Sequence, residues 1–380
     1  SRFIYNFNPA QIGALSTNQI TSLSEEHINS LSISAAAMLT AEQISVLGVD
    51  RINELSPLAI ANISSTAIKG LDFTPPASTE AAAAFISKRS LFVSKLQPTQ
   101  IGALSTTQIS RLSDTELKGL SNTAISNLTA QQIEAIGIAR IKTLEANSPE
   151  TVTRFLSNFN STQISALAKT QIALLSATDI KSLTITAVAK LTAEQIGALG
   201  VEKINELSSP AIANISSSAI KGLDFRPPAS TTAAAAFVSR LSTAQIGGLS
   251  ADQVGALGLE RISELSPLAI ANISSSAIKG LDFTPPASAA AAFITARSQF
   301  VSKLQPSQIG ALSTTQISAL TDTELKNLSN TAISNLTAQQ IEAIGINRIK
   351  SLENTLSGGV SRFIYNFNPA QIGALSTSQI

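Results

Sequence analysis

The feature that most constrains this chain is an eight-residue phrase, roughly xxQIxxLS, which recurs along most of its 380 residues. Three copies follow one another directly over residues 98–121, as PTQIGALS, TTQISRLS and DTELKGLS. Position 4 of the octad is nearly always Ile, and position 7 is Leu or Ile. Residues three apart lie on one face of a helix but on opposite faces of a strand. The octad therefore predicts helix.

The octads cannot join into one long helix. Eight residues turn through about 800°, so the Ile/Leu stripe would drift by about 80° per octad around a continuous helix. Position 8 also carries residues that begin or end helices, usually Ser or Thr, and in some copies Gly: Gly48, Gly137, Gly200, Gly258 and Gly345. We expect one helix of about six or seven residues per octad, followed by a sharp turn.

The order of residues within the octad also predicts how each helix begins. Ser or Thr at position 8 is the expected N-cap of the next helix, and Pro at position 1 falls at N1. Gln at position 3 then falls at N3 and completes a capping box, as in Ser105 to Gln108. Leu at position 7 and Ile at position 4 form the hydrophobic staple. The alternative reading is that the recurring Gln binds a ligand.

Such short helices can only be stable in a stack. Isolated helices below about 12 residues are marginal in water, and one buried Ile and one Leu do not offset the entropy of ordering eight residues. We therefore predict an all-α repeat solenoid of short capped helices, one per eight residues, punctuated by longer aromatic-bearing helices. Its handedness and the number of octads per turn do not follow from the pattern.

Junctions of different composition interrupt the octads and hold all 14 Phe and both Tyr. One type reads LDF(T/R)PPAS and leads into an Ala-rich helix such as 79–96, with Phe85 and Phe92 on it. The other type includes Ser148 to Asn160. We expect the aromatic side chains to fill the core, the alternative being platforms for a sugar or a partner. The octad blocks are 9–72, 98–145, 161–224, 243–282, 306–353 and a last one from 369, which give predicted segments of 1–97, 98–160, 161–242, 243–305, 306–368 and 369–380.

A longer period overlies the octads. Residues 1–20 recur at 361–380 with a single change, from Asn18 to Ser378, and residues 95–145 closely match 303–353. We interpret the chain as a window, with about 360 residues per cycle, on a longer tandem array. Gly358 and Gly359 are interpreted as a hinge within this cycle.

Composition and motifs point away from catalysis. The net charge of +1 and the scattered basic residues lack the footprint of a nucleic-acid-binding protein, and no apolar run is long enough for a transmembrane segment. There is no Cys, so disulfides and zinc–thiolate sites are excluded, and His27 is the only His. The recurring Asp72, Asp224 and Asp282 are interpreted as caps of the junction turn, with cation binding as the alternative. We predict no enzyme activity and no catalytic, cofactor-binding or metal-binding residues.

Phrases such as AQIGALSTNQI at 10–20 and TTQISALT at 314–321 resemble octapeptide-repeat arrays of very large secreted or surface proteins of bacteria. The resemblance covers the octad blocks. It implies an extracellular or cell-surface location and a role as stalk, surface layer, adhesin or filament. The implied partners are other copies, through self-association into a filament or sheet, or a component of the cell surface.

Two alternative functions remain open at this stage. The variable octad positions 2, 5 and 6 could form a recognition surface for glycan or protein, although near-verbatim copying of the blocks favours an architectural role. Regularly spaced Thr and Ser could instead bind ice or another crystal surface.

Overall fold

A computed structural model describes residues 6–146, 155–226, 229, 231–354 and 363–373. Every regular element in these ranges is helical, and none of them contains a strand. The predicted all-α repeat solenoid of short helices is therefore confirmed. The chain forms two compact units, residues 1–174 and 175–380.

The first unit consists of short helices with two longer composite or junction helices among them. Its described α-helices are Pro9–Gly13, Thr17–Thr21, Glu25–Asn29, Ile33–Ala37, Ala41–Ile52, Pro57–Asn62, Ser65–Ile68, Thr79–Ser94, Pro98–Ala103, Thr106–Ser110, Asp114–Lys118, Asn122–Ser126, Ala130–Ile136, Ile138–Ala146, Ser161–Ser165 and Lys169–Ile172, and a 3-10 turn spans Leu156–Asn158.

The second unit repeats this plan. Its described α-helices are Ala177–Ser182, Ile185–Val188, Ala193–Ile204, Ser209–Ala213, Ser217–Ile220, Thr231–Val238, Thr243–Gly247, Ala251–Ser263, Pro267–Asn272, Ser275–Ile278, Ala290–Ser302, Pro306–Gly310, Thr314–Ala319, Asp322–Lys326, Asn330–Ser334, Ala338–Ile344, Ile346–Asn354 and Pro369–Gly373, and a 3-10 turn spans Ile364–Asn366.

The octad helix begins as the capping pattern predicts. Ser105 Oγ accepts a hydrogen bond from the backbone N–H of Gln108 at 3.1 Å, and Gln108 Oε1 accepts one from the backbone N–H of Ser105 at 2.9 Å. The helix that follows, Thr106–Ser110, has five residues, which is shorter than expected. The preceding helix, Pro98–Ala103, has six residues and ends at the position-7 residue Leu104, whose extended backbone (φ −55°, ψ 145°) belongs to the connection between helices.

Glycine at position 8 turns the chain where Ser or Thr is absent. Gly48, Gly137, Gly200, Gly258 and Gly345 have φ between 66° and 85°, and in the described residues no other residue type has a positive φ. Glycine adopts this region without the steric cost that a Cβ imposes. Each of these five glycines therefore ends one octad helix, and the next octad helix begins after it without a capping side chain.

Replacing Gly137 with alanine is expected to destabilise the first unit by about 1–2 kcal/mol through backbone strain. A Cβ at Gly137 meets no atom within 4 Å, so steric clash contributes nothing. The matched control is Gly119→Ala, because Gly119 has φ −76° and its position is occupied by Asn327 in the second copy of this block. The urea midpoint of each variant measures the difference. Equal midpoints for the two variants would contradict the assigned role of the positive φ.

Three octads complete one turn of the stack within each block. Pro9–Gly13 contacts Ile33–Ala37, whose start lies 24 residues further along the chain, and Thr106–Ser110 contacts Ala130–Ile136 at the same spacing. Turns approach closely, since a Cβ on Gly102 would lie 2.5 Å from the carbonyl oxygen of Asn127. The Ile and Leu of positions 4 and 7 are buried along the axis of this stack.

The aromatic side chains of the junctions lie mainly in the core. Phe73 and Phe92 are fully buried, with ring centroids 6.5 Å apart in an edge-to-face arrangement. Phe283 and Phe300 repeat this contact in the second unit. Core filling is thus confirmed for most of the junction aromatics, while Tyr365 is exposed.

The structure modifies two details of the predicted junctions. The Ala-rich helix expected over 79–96 spans Thr79–Ser94, and its N-cap Ser78 makes no capping bond through its side chain. The junction around Ser148 and the predicted hinge at Gly358 and Gly359 lie, wholly or in part, outside the described residues.

Candidate functional site: the position-3 contacts between turns

The side chain at octad position 3 joins successive turns as well as capping its own helix. The amide of Gln108 is buried, and its Nε2 donates to the carbonyl oxygens of Ile68 at 3.0 Å and Leu71 at 2.8 Å. Its Oε1 simultaneously accepts the capping bond from Ser105. One amide therefore satisfies three backbone groups, two of which lie in an octad 37 to 40 residues away.

The same contact recurs throughout both units. In each case Nε2 donates to the position-4 and position-7 carbonyl oxygens of an earlier octad. The position-4 carbonyl also accepts from the position-7 N–H of its own octad, whereas the position-7 carbonyl lies beyond the end of the short helix. The glutamines that do this are Gln43, Gln100, Gln108, Gln132, Gln163, Gln245, Gln253, Gln308, Gln316, Gln340 and Gln371.

An arginine takes over this role in some octads that follow a position-8 glycine. Arg140 donates to the carbonyl oxygen of Leu112 at 2.6 Å and to Asp114 Oδ1 at 2.8 Å. Arg348 makes the equivalent contacts with Leu320 and Asp322. The backbone N–H of Gly137 donates to the carbonyl oxygen of Ile133 and that of Gly345 to Ile341, so position 3 needs no acceptor there and a pure donor suffices.

Glutamate at position 3 is used in a third way, as the partner of a buried arginine. The side chains of Arg89 and Glu116 are each 1% exposed, and the guanidinium binds the carboxylate through two bonds, from Nε at 2.9 Å and from Nη2 at 2.7 Å. Arg89 Nη1 also donates to the carbonyl oxygen of Phe73 at 2.9 Å. The pair therefore joins the junction helix, the junction turn and an octad in one contact.

The second unit contains the same pair. Arg297 binds Glu324 through Nε at 3.0 Å and Nη2 at 2.8 Å, and it donates to the carbonyl oxygen of Phe283 at 2.6 Å. Ser298 adds a bond to Glu324 at 2.9 Å. The same buried Arg–Glu pair therefore stabilises both junctions.

The electrostatics of these pairs follow from burial and from the donors around them. Burial of the Glu116 carboxylate acts to raise its pKa, but hydrogen bonds from Arg89 and Ser113 outweigh that effect and hold the pKa below the ordinary 4.5. Glu324 has its pKa lowered for the same reasons, with Thr321 in place of Ser113. Both carboxylates are therefore held ionised in the folded chain near neutral pH.

The candidate residues from the sequence have local structural roles. Asp72 Oδ1 accepts hydrogen bonds from the Thr74 hydroxyl and, at 2.8 Å, from the backbone N–H of Thr74, and these two bonds lower the Asp72 pKa. Asp224 and Asp282 accept the equivalent bonds, so the predicted turn-capping role is confirmed. His27 occupies the capping-box position, with Nδ1 placed 3.3 Å from the backbone nitrogen of Ser24.

The part of the chain that the structure describes contains no group of three or more His, Asp or Glu side chains placed to hold a metal ion. Nor does any of its helices combine the length and apolar character that crossing a bilayer requires.

A groove of about 300 Å³ lies beside the Arg89–Glu116 pair. Hydroxyl side chains line it together with apolar core residues, among them Ser90, Ser94, Thr115 and Ser121. Gly119 also lines the groove, and the corresponding residue of the second copy is Asn327. The two otherwise similar blocks therefore differ at this surface.

Comparison with known proteins gives no family for the chain. No protein-family model matches it, and no curated protein matches it. Among solved structures it is similar to a crystal structure of an engineered protein, with 14% identity over 98% of each chain and a TM-score of 0.24. A similarity at that level carries no argument about function.

Proposed function

We propose that this chain is a structural repeat segment of a giant extracellular bacterial protein, acting as a stalk, surface layer or filament. The observation that supports this most is the recurrence of the position-3 contact, in which each turn is bound to an earlier one through the same two carbonyls. The same chemistry is repeated along the chain instead of being concentrated at one place. Such repetition suits an element whose task is length and regularity.

The surface chemistry agrees with an extracellular setting. Only 13% of residues are charged, and most bonds between turns are made by neutral amides. Contacts between neutral groups are little affected by ionic strength, whereas exposed ion pairs are screened by salt. The octad resemblance to secreted and surface proteins of bacteria points to the same location.

Immunogold electron microscopy of intact source cells tests the proposal. Antibodies raised against this chain should label the outside of unpermeabilised cells, at extended structures whose length increases with the number of cycles in the parent protein. Labelling only after permeabilisation would overturn the extracellular role. Labelling of compact particles would overturn the extended role.

A second candidate is an adhesin-like recognition solenoid, favoured by the hydroxyl-lined groove beside Glu116. A glycan array probed with the chain tests it directly. Binding that is lost in Gly119→Asn, which copies the residue of the second block, would support recognition at the groove. Binding that persists in this variant would place recognition elsewhere, and no binding would remove the candidate.

A further inference from the structure

The groove beside the Arg89–Glu116 pair contains hydrogen-bonding capacity that the chain does not use. The hydroxyls of Ser90 and Thr115 line it, and neither is hydrogen-bonded to another group in the part of the chain that the structure describes. Glu116 also lines the groove, and its Oε1 accepts one bond, from Arg89 Nε at 2.9 Å. Because a carboxylate oxygen can accept two hydrogen bonds, Glu116 Oε1 has room for one further donor.

The second unit fills this position from within the chain. Ser298, the counterpart of Ser90, donates to Glu324 Oε1 at 2.9 Å. The same oxygen also accepts from Arg297 Nε at 3.0 Å. The second donor that Glu324 has is therefore missing at Glu116, where a hydroxyl of a ligand can supply it.

A single residue distinguishes the lining of the groove from the corresponding residues of the second unit. Every lining residue except Gly119 has an identical counterpart there, and the counterpart of Gly119 is Asn327. The surface that is bare at Gly119 therefore carries an amide side chain at Asn327. Both residues are exposed, so this difference lies at the mouth of the groove.

The lining of the groove indicates the class of ligand. Glu116 is the one charged side chain among the lining residues, and its charge is balanced by Arg89, so an ionic ligand finds no free counter-charge. Val93 and Leu120 supply apolar surface beside the hydroxyls. A ligand that presents both hydroxyls and C–H surface fits this combination, and an O–H donor to a carboxylate forms a strong, charge-assisted bond.

We propose that this groove binds one neutral sugar unit, which donates a hydroxyl to Glu116 Oε1 and bonds to Ser90 and Thr115, and that Asn327 closes the corresponding site of the second unit. The volume of about 300 Å³ is at the lower end of ligand pockets and suits one unit instead of a chain of them. No aromatic ring is among the lining residues, so we expect a dissociation constant on the order of millimolar. The inference rests on the recognition role given above as the second candidate, and it names the ligand class and the groups that hold it.

The test is a methyl NMR titration of the full chain, labelled at Ile, Leu and Val, with glucose, galactose, mannose and N-acetylglucosamine in separate experiments. At least one sugar should shift the methyl signals of Ile101 and Leu120, which line the groove, and the shifts should saturate at about 100 mM sugar or below. The signals of their counterparts, Ile309 and Leu328, should not move. Unchanged Ile101 and Leu120 signals with all four sugars would overturn the proposal.

Reciprocal variants at the mouth of the groove test the role of the single differing residue. Gly119→Asn should abolish the shifts, and it should fold normally, because a Cβ there meets only ordinary contacts, with Glu116 O at 3.4 Å and Thr115 O at 3.5 Å. Asn327→Gly should create a second site, seen as new shifts at Ile309. This site should be weaker, because Ser298 already donates to the carboxylate. Shifts that persist in Gly119→Asn, or no new shifts in Asn327→Gly, would contradict the assignment.

Two serines that line the groove separate hydrogen bonding from packing. Ser90→Ala should weaken sugar binding about three- to tenfold, because it removes a hydroxyl that the chain leaves unpaired. Ser94→Ala is the matched control and should have little effect, because the Ser94 hydroxyl donates to the carbonyl oxygen of Leu91 at 2.7 Å. Equal effects of the two variants would contradict the assigned contact.

Two further compounds test the ligand class. Glucuronic acid, which is charged at neutral pH, and 1,6-hexanediol, which is mainly apolar, should each bind more weakly than the best neutral sugar. Tighter binding of either compound would overturn the proposed class. Glycan-array binding that survives Gly119→Asn would refute the groove as the site and leave recognition by the chain intact, so the two failures are distinguishable.

Discussion

Replacing Arg89 with methionine is expected to lower the free energy of unfolding around the first LDF junction by about 3–5 kcal/mol. The change leaves the Glu116 carboxylate, now 1% exposed, as a buried charge without its two guanidinium bonds. It also leaves the carbonyl oxygen of Phe73 without its donor. Hydrogen exchange of the amides in Thr79–Ser94 and Asp114–Lys118 measures the local opening free energy.

The double variant Arg89→Met with Glu116→Gln is the control. It removes the uncompensated charge, and the remaining neutral glutamine matches the residue found most often at position 3 of the octads. Neutral replacement of a buried ion pair is often close to neutral in stability, so the double variant should recover most of the loss. If the double variant is as unstable as Arg89→Met, the loss comes from packing and the electrostatic argument is wrong.

The Arg89–Glu116 pair should also make the stability of the chain depend on pH in the acid range. Comparison with the double variant isolates this dependence. The folded-state pKa of Glu116 is lowered below 4.5, so the carboxylate contributes stability that is fully present above the unfolded pKa. That contribution is lost as pH falls through the folded-state pKa. The free energy of unfolding of the parent chain, relative to that of the double variant, should therefore be constant near pH 7. It should decrease below about pH 4.5. A difference that does not change with pH would contradict the assignment.

Local features of the fold were predictable because their causes lie within one octad. The capping box joins Ser105 to Gln108, and the staple joins neighbouring positions 7 and 4, so both partners are visible in eight residues. The positive φ of Gly137 likewise follows from its place at the end of an octad. The predicted length of about six or seven residues holds for octad helices such as Pro98–Ala103 and Ala130–Ile136, whereas many others have only four or five.

Contacts between turns were not predictable from the octad alone. The acceptors of a position-3 side chain lie 28 to 40 residues earlier, a separation that depends on three octads per turn and on the length of any junction between them. Capping and binding are alternative predictions for the recurring Gln, whereas Gln108 caps its helix through its side-chain oxygen and binds an earlier octad through its side-chain nitrogen. Its binding partner is the chain itself.

The buried ion pairs were missed although the sequence contains a signal for them. Glu stands at position 3 of the octads beginning at Asp114 and Asp322, and both are preceded by a junction helix with an Arg. The remaining LDF junction leads into Thr231–Val238. It has neither the corresponding Arg nor a Glu at position 3 of the octads after it. The Arg and the Glu are therefore present together in two junctions and absent together in the other, which indicates that they contact each other. The distances at Arg89 and Arg297 show this contact.

Replacing Gln108 with alanine is expected to cost about 3 kcal/mol, because the carbonyl oxygen of Leu71 and the backbone N–H of Ser105 lose the partner that Gln108 provides, and the carbonyl oxygen of Ile68 loses one of its two donors. The carbonyl oxygens of Ile68 and Leu71 lie inside the stack, where water cannot replace the lost donor without opening the turns. The effect should therefore extend to Ser65–Ile68 as well as Thr106–Ser110, although these helices are far apart in sequence. Hydrogen exchange in both helices measures it.

Gln19→Ala is the matched control, since Gln19 is exposed and accepts the same capping bond, from the backbone N–H of Ser16 at 2.8 Å. Its loss should cost only the value of a cap, about 0.5–1 kcal/mol. The difference between the two variants isolates the contribution of the bond between turns from that of the cap. If the two variants lose equal stability, the glutamine acts only within its own octad and the stack is held by Ile and Leu alone. If Gln108→Ala loses more, and protection falls in Ser65–Ile68, each octad is stabilised by an earlier one, and an array of such octads gains stability with every turn added.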